Sequence, residues 1–170
     1  MYMEKKMSER LIAGIEMAIR LEQKGLDFYE KCMSQTRRQE AKELFDFLIK
    51  AEKTHKAGLE SVKKGVLKNS PEVIQKGVDK VMKLKIPVPL FSDSDLAHML
   101  KSTTNLRMMF NKAMELEKEG MGFYFGMAVK EEDALLKSFW KKLGSDELKH
   151  KQEIERVGFI MLGIPKWEVL

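Results

Sequence analysis

Two short motifs, Glu52-Lys53-Thr54-His55 and Glu147-Leu148-Lys149-His150, use two of the three histidines in the chain. On a helix, Glu-x-x-His places a carboxylate oxygen and an imidazole nitrogen on one face, close enough to hold a single cation. One such pair is weak evidence, since it arises by chance on many helices. Here each is preceded by a glutamate 30 residues earlier, Glu22 before Glu52 and Glu117 before Glu147. Four carboxylates gathered in an apolar interior would cost several kcal/mol per uncompensated ion. Two divalent cations would balance the four charges while two neutral imidazoles fill coordination positions. An oxygen-rich set of six ligands suits iron, or else manganese, better than zinc, whose structural sites favour four sulfur and nitrogen ligands. The competing reading is a set of buried salt bridges with His55 and His150 protonated. Burial disfavours charged groups, and two imidazolium ions do not neutralise four carboxylates.

The elements that must carry these residues are long amphipathic helices. Apolar residues recur at helical spacing over about 8–32, 37–64, 104–129 and 132–157. Each helix has a seam that steps alternately by four and three: Leu11, Ile15, Ala18, Glu22, Gly25, Tyr29; Ala41, Phe45, Leu48, Glu52, His55, Leu59; Leu106, Phe110, Ala113, Glu117, Gly120, Tyr124; Leu136, Trp140, Leu143, Glu147, His150, Ile154. Every seam is apolar except at its middle. Thr36 and Gln39 stand in a capping-box relation at the first junction. Asn69-Ser70-Pro71 opens a short helix in the long connection, Pro87 and Pro89 force extended chain there, and Ser92 with Asp95 caps a further turn. Overlaying the halves at a shift of 95 residues superimposes Ala18, Leu21, Glu22, Gly25, Phe28 and Tyr29 on Ala113, Leu116, Glu117, Gly120, Phe123 and Tyr124, and Glu52 and His55 on Glu147 and His150. The chain reads as two copies of a helical hairpin.

These repeated Glu…Phe-Tyr and Glu-x-x-His patterns, over about residues 8–157, resemble the ferritin-like di-iron carboxylate proteins of the rubrerythrin type. The expected fold is therefore all-α: an antiparallel four-helix bundle in a single domain over 1–170, with hairpin one at about 8–64, a crossover at 65–103, hairpin two at about 104–157 and a C-terminal tail at 158–170. The resemblance implies iron ligands at Glu22, Glu52, His55, Glu117, Glu147 and His150, with Glu52 and Glu147 bridging. It further implies two iron ions reacting with hydrogen peroxide or dioxygen, as in rubrerythrin-like peroxide reduction or ferrous iron oxidation. Two departures qualify it. Rubrerythrins usually carry a rubredoxin iron site of four cysteines, whereas Cys32 is the single cysteine here, so electrons would come from a separate donor such as a rubredoxin. Gly120 stands where the family has an additional glutamate one turn after the third-helix ligand, which puts that family's peroxidase kinetics in question.

Gly25 and Gly120, mid-helix at about 1 kcal/mol each against alanine, read either as an opening beside the metals or as close helix packing. Tyr29 and Tyr124 read either as partners of the bridging carboxylates, or electron donors, or as core tyrosines with satisfied hydroxyls. His98 has no assigned role, and Cys32 reads as a small buried residue. The net charge of +5 arises from 31 basic residues interleaved with 26 acidic ones, which argues against a nucleic-acid surface. No apolar run reaches the ~18–20 residues of a membrane span, and the lone cysteine fits a reducing compartment, so a cytoplasmic protein is expected. The tail, with Gly163, Pro165 and Trp167, is expected to pack on the bundle or on a second subunit, as in a homodimer. The functional expectation is an oxidoreductase. Its alternatives are an iron-binding or iron-handling protein without turnover, and a helical interaction module whose glutamates and histidines are incidental.

Overall fold

The computed structural model describes residues 2–86 and 104–162, with side chains placed for 8–86 and 106–162. Helices make up the described chain: α1 Tyr2–Gln35, α2 Gln39–Leu67, α3 Pro71–Met82, α4 Thr104–Lys130 and α5 Ala134–Leu162. Two antiparallel hairpins, α1–α2 and α4–α5, pack against each other with α1 lying on α4, while α2 and α5 meet mainly through long side chains. This is the ferritin-like four-helix bundle expected from the seams. Every seam residue is buried except Leu11, which is half-buried. No helix among the described residues is long and apolar enough to cross a membrane.

The helices overrun their predicted ends. α1 begins at Tyr2, not near Ser8, and α5 continues through Gly158 to Leu162, so the first five residues of the expected tail are helix. α5 runs on through Gly158, which is buried facing the Phe110 ring, where a Cβ would sit at an ordinary 3.5 Å. Met161 is buried beyond it. Gly163, Pro165 and Trp167, together with His98, Pro87, Pro89, Ser92 and Asp95, lie outside the described residues.

The capping box at the first junction is not formed. Arg38, in extended conformation, is the N-cap of α2 and makes no side-chain cap. Thr36 Oγ1 instead accepts from the Arg38 backbone N–H at 3.2 Å, and Gln39 donates to Glu43 at 3.0 Å. A three-residue link leaves no room for Thr36 to reach the third helical N–H, because α2 starts two residues later than that motif requires. At the second junction the cap is real: Asp133 Oδ1 accepts from the Leu136 backbone N–H at 2.9 Å.

Asn69 closes α2 with a left-handed backbone, φ 48°, and Ser70 and Asn69 donate their N–H groups back to Gly65 and Val66 at 2.9 and 3.2 Å. Ser70 then stands at the N-cap position of α3, without a side-chain cap, and Pro71 opens the helix, as Asn69-Ser70-Pro71 predicts. α3 lies tightly on α2: a Cβ on Gly77 would come within 2.8 Å of the Gly58 carbonyl oxygen. α3 also touches α5 but neither α1 nor α4 to any extent, so it covers one flank of the bundle only.

The apolar core is cut in two. One half gathers Tyr29, Leu48, Phe45, Phe110 and Val157; the other gathers Ile15, Leu59, Tyr124, Trp140 and Leu143. The halves mirror each other under the 95-residue shift, with Tyr29 stacked on Phe45 at 6.1 Å and Tyr124 on Trp140 at 6.0 Å, both at 21°. Each fully buried leucine or phenylalanine contributes about 1.5–3 kcal/mol, and these two apolar layers offset the cost of the polar layer between them.

Candidate metal centre

The layer between the two cores is made of the six residues singled out by spacing. Glu22, Glu52, Glu117 and Glu147 are at most 4% exposed, and His55 and His150 are fully buried. Ligand atoms of Glu22, Glu52, His55 and Glu147 lie within 4.8 Å of one another, as do those of Glu52, Glu117, Glu147 and His150. The two groups share Glu52 and Glu147. Each of these offers one oxygen to each histidine: His55 Nδ1 is 3.4 Å from Glu52 Oε2 and 3.2 Å from Glu147 Oε1, whereas His150 Nδ1 is 3.6 Å from Glu52 Oε1 and 3.5 Å from Glu147 Oε2. Glu22 Oε2 and Glu117 Oε2 close the two ends, 3.6 Å from His55 Nδ1 and 3.4 Å from His150 Nδ1. The imidazoles stack on each other with ring centres 5.7 Å apart.

Whether this layer fits metal is tested by its unsatisfied atoms. Glu22 Oε2, His55 Nδ1, Glu117 Oε2, Glu147 Oε1 and His150 Nδ1 are buried with no hydrogen-bond partner, and all belong to the two four-residue groups. Buried polar atoms are normally paired, and a cation in each group would pair all of these at once. The donors therefore fit two ions, with Glu52 and Glu147 placed to serve both.

Without ions the layer holds protons. Burial pushes Glu22 and Glu117 well above the usual carboxylate range, reinforced by the charges of Glu52 and Glu147. Burial and the Glu147 charge also push Glu52 up, yet its contacts with Glu22, His150 and His55 outweigh them and leave it below that range. Glu147 is likewise held low against burial by Glu117 and both histidines. The histidines resist desolvation and rise well above the ordinary imidazole value because carboxylates surround them. These directions favour protons on the two histidines and on the outer glutamates, Glu22 and Glu117, when no ion is present.

Tyr29 and Tyr124 reach across the bundle, but to the outer glutamates and not to the bridging pair. Tyr29 donates to Glu117 Oε1 at 2.5 Å, and Tyr124 donates to Glu22 Oε1. Each hairpin thus holds the other's terminal carboxylate, leaving its second oxygen free to face the cluster. Burial, followed by the adjacent carboxylate charge, raises both phenols well above their usual range, so they stay protonated donors.

Gly25 and Gly120 line a cavity of about 20 Å³ together with Glu22, Glu52, Glu117 and Glu147. A Cβ on Gly25 would meet Tyr29 at 3.6 Å, and one on Gly120 would meet Glu147 at 3.5 Å, both ordinary contacts. Close packing therefore does not demand glycine at either position, and both border the cavity. Such a volume suits about one water-sized molecule. The exposed Lys24–Glu119 ion pair, 2.6 Å, forms its outer rim. Cys32 is buried in the apolar half around Phe45, its thiol pushed up to about 11 by desolvation, and it is not among the clustered donors.

Two buried acids escaped the sequence reading. Asp146, fully buried, accepts from His55 Nε2 at 3.3 Å and is paired with Lys142. Burial raises its carboxyl, but His55 and Lys142 outweigh that and hold it low. Glu153 is buried against Arg156 at 2.7 Å. Neither lies on a seam. The available signal for Asp146 was its departure from the repeat, since Ala51 occupies the matching place in the first half.

A four-helix bundle with two Glu-x-x-His helices and a glutamate from each of the others is the arrangement of ferritin-like carboxylate proteins that hold two metal ions. A family model described as Rubrerythrin matches residues 3–63, the α1–α2 hairpin carrying Glu22, Glu52 and His55, and it supports a ferritin-like protein of the rubrerythrin type. The second hairpin lies outside that match and is tied to the first by the repeat. No curated protein and no solved structure gave a match.

Proposed function

We propose that the protein is a di-iron carboxylate oxidoreductase that reacts with hydrogen peroxide or dioxygen and is re-reduced by a separate electron donor. The observation that carries the reading is the pair of overlapping ligand groups sharing Glu52 and Glu147, with five orphaned donor atoms among them. Glu22 and His55 would complete one iron position, Glu117 and His150 the other. Iron held there supplies reversible one-electron chemistry at two adjacent centres. The chain's residues do the rest. Tyr29 and Tyr124 fix the terminal carboxylates, the two apolar half-cores exclude bulk water, and the cavity between Gly25 and Gly120 admits a small oxidant beside Glu52 and Glu147.

The choice of iron over manganese, the oxidant and the donor are parts of this proposal. With one cysteine in the chain, no four-cysteine iron site is available within it, and a rubredoxin-like partner is the expected donor. The test begins with elemental analysis of protein purified without added metal, where about two iron atoms per chain are expected. Anaerobically reduced protein is then mixed with peroxide and, separately, with dioxygen. Oxidation faster than that of free iron, repeated on addition of a donor, supports the enzyme. Iron bound in the same amount but never cycling with a donor would favour the iron-handling alternative, and absence of bound metal would remove both.

A further inference from the structure

The inner layer of the cluster obeys the 95-residue repeat, but what stands behind the two histidines does not. Behind His55, the Nε2–H donates to Asp146 Oδ2 at 3.3 Å. Asp146 is paired with Lys142, whose ammonium also donates to the Leu84 carbonyl at 3.2 Å. Under the shift, Asp146 corresponds to Ala51 and Lys142 to Phe47. Behind His150 there is accordingly an apolar wall: the Phe47 ring stands edge-on, 5.8 Å away at 90°, and His150 Nε2 has no hydrogen-bond partner among the described residues.

A hydrogen bond from the far nitrogen to a carboxylate selects the tautomer that leaves Nδ1 as a lone-pair donor. It also fixes the ring's rotation and raises its basicity toward a metal. His55 has this support and His150 lacks it. Resting on the metal-binding reading above, we infer that the two ion positions are unequal. The position of Glu22 and His55 fills first and retains its ion, whereas the position of Glu117 and His150 fills second and exchanges. Asp146 is the positioning residue that separates them. The exchangeable position is thus the one through which a divalent transition-metal ion enters and leaves.

Cobalt(II) titration of the metal-free full chain, followed by calorimetry and visible absorption, reads the two steps directly. Two resolved steps are expected, separated by about 10–100-fold, the usual effect of such an outer partner on metal affinity. Glu117→Gln is expected to keep the tight step and lose the weak one, and Glu22→Gln to keep only the weak one. Asp146→Ala, checked for retained helicity, is expected to weaken the tight step by about 10–100-fold and leave the weak step in place, a split that general loosening of the fold would not produce. The glutamate comparison stands even if Asp146→Ala does not fold. Two equal ions in the unaltered chain, a tight step that survives Glu22→Gln but not Glu117→Gln, or an Asp146→Ala protein with an unchanged tight step would each overturn the inference while leaving the metal centre intact. No cobalt binding at all would remove the metal centre as well.

Discussion

Filling the cluster with two divalent ions at pH 6 should expel about four protons from the folded chain, because metal ligands must be deprotonated to bind. The count comes from the residues themselves. Glu22 and Glu117 are held well above the carboxylate range by burial, and His55 and His150 well above the imidazole range by the carboxylates facing them. Raised in this way, each is expected to keep its proton in mildly acidic solution without metal, whereas Glu52 and Glu147, held low, are expected to be ionised. With two dications bound, four carboxylates and two neutral imidazoles balance the charge and none of these protons has a place. The product of the two binding constants should therefore rise by as much as about four decades per pH unit near pH 6, and less steeply as the histidines lose their protons. Zinc(II) added to metal-free protein in a weakly buffered indicator solution measures the release without redox chemistry. A release of two protons would mean that Glu22 and Glu117 are already ionised. None would refute the charge assignment of the whole layer.

Three further outcomes follow from the same geometry. In metal-free protein, the raised values of Glu22, Glu117, His55 and His150 give stability that is present at low pH and is lost as pH rises through their folded values, whereas the lowered values of Glu52, Glu147 and Asp146 give stability lost as pH falls. Melting temperature in chelator should decline as pH rises above about 4.5, where Glu22 and Glu117 ionise in the unfolded chain, and more steeply above about 6.5, where the unfolded histidines lose their protons; bound metal should abolish that decline, and a flat chelator profile would contradict it. Tyr29→Phe, which leaves Glu117 Oε1 without its donor, should cost about 1–3 kcal/mol, or roughly 2–4 °C of melting temperature per kcal/mol, and an unchanged melting curve would count against the cross-bundle bond. Gly120→Ala should raise stability by up to about 1 kcal/mol while slowing oxidation by peroxide, whereas Gly77→Ala, whose Cβ would press on the Gly58 carbonyl, should destabilise; the reverse order in thermal melts would refute the distinction between open and packed glycines.

The six clustered residues were legible because their spacing is redundant: each half repeats the other, and each seam turns polar only at its middle. Helix ends were less so. Past Gly158, α5 buries Met161 in the apolar half that also holds Phe110, a contribution from residues about 50 positions apart that no local pattern encodes. The capping motif at Thr36 was chemically sound but set in a link too short to use it. That the tyrosines reach a carboxylate across the bundle is legible in the repeat, but which carboxylate each meets is not. Tyr29 is two turns from Glu22 on its own helix, yet its hydroxyl meets Glu117 on α4.

Asp146 marks the point at which a repeat stops being informative. A duplicated hairpin can keep its interior symmetric, because each seam faces its own copy and the same ligands serve from both sides. Its exterior cannot be symmetric, since one crossover joins the two copies and α3 lies against α2 and α5 alone. That flank presents the Leu84 carbonyl to the part-buried Lys142, which stands with the buried Asp146 behind His55 and has a second acceptor for its ammonium. The opposite flank has no such segment among the described residues, and a charge pair at the part-buried position 47 and the buried position 51 would lack that acceptor. Phe47 and Ala51 are what such a wall tolerates. The inequality of the two ion positions is then a consequence of connectivity. Moving the acid to the other side, by Ala51→Asp with Asp146→Ala, should fail to transfer the tight step to His150, and a full transfer would show that the crossover has no part in setting it.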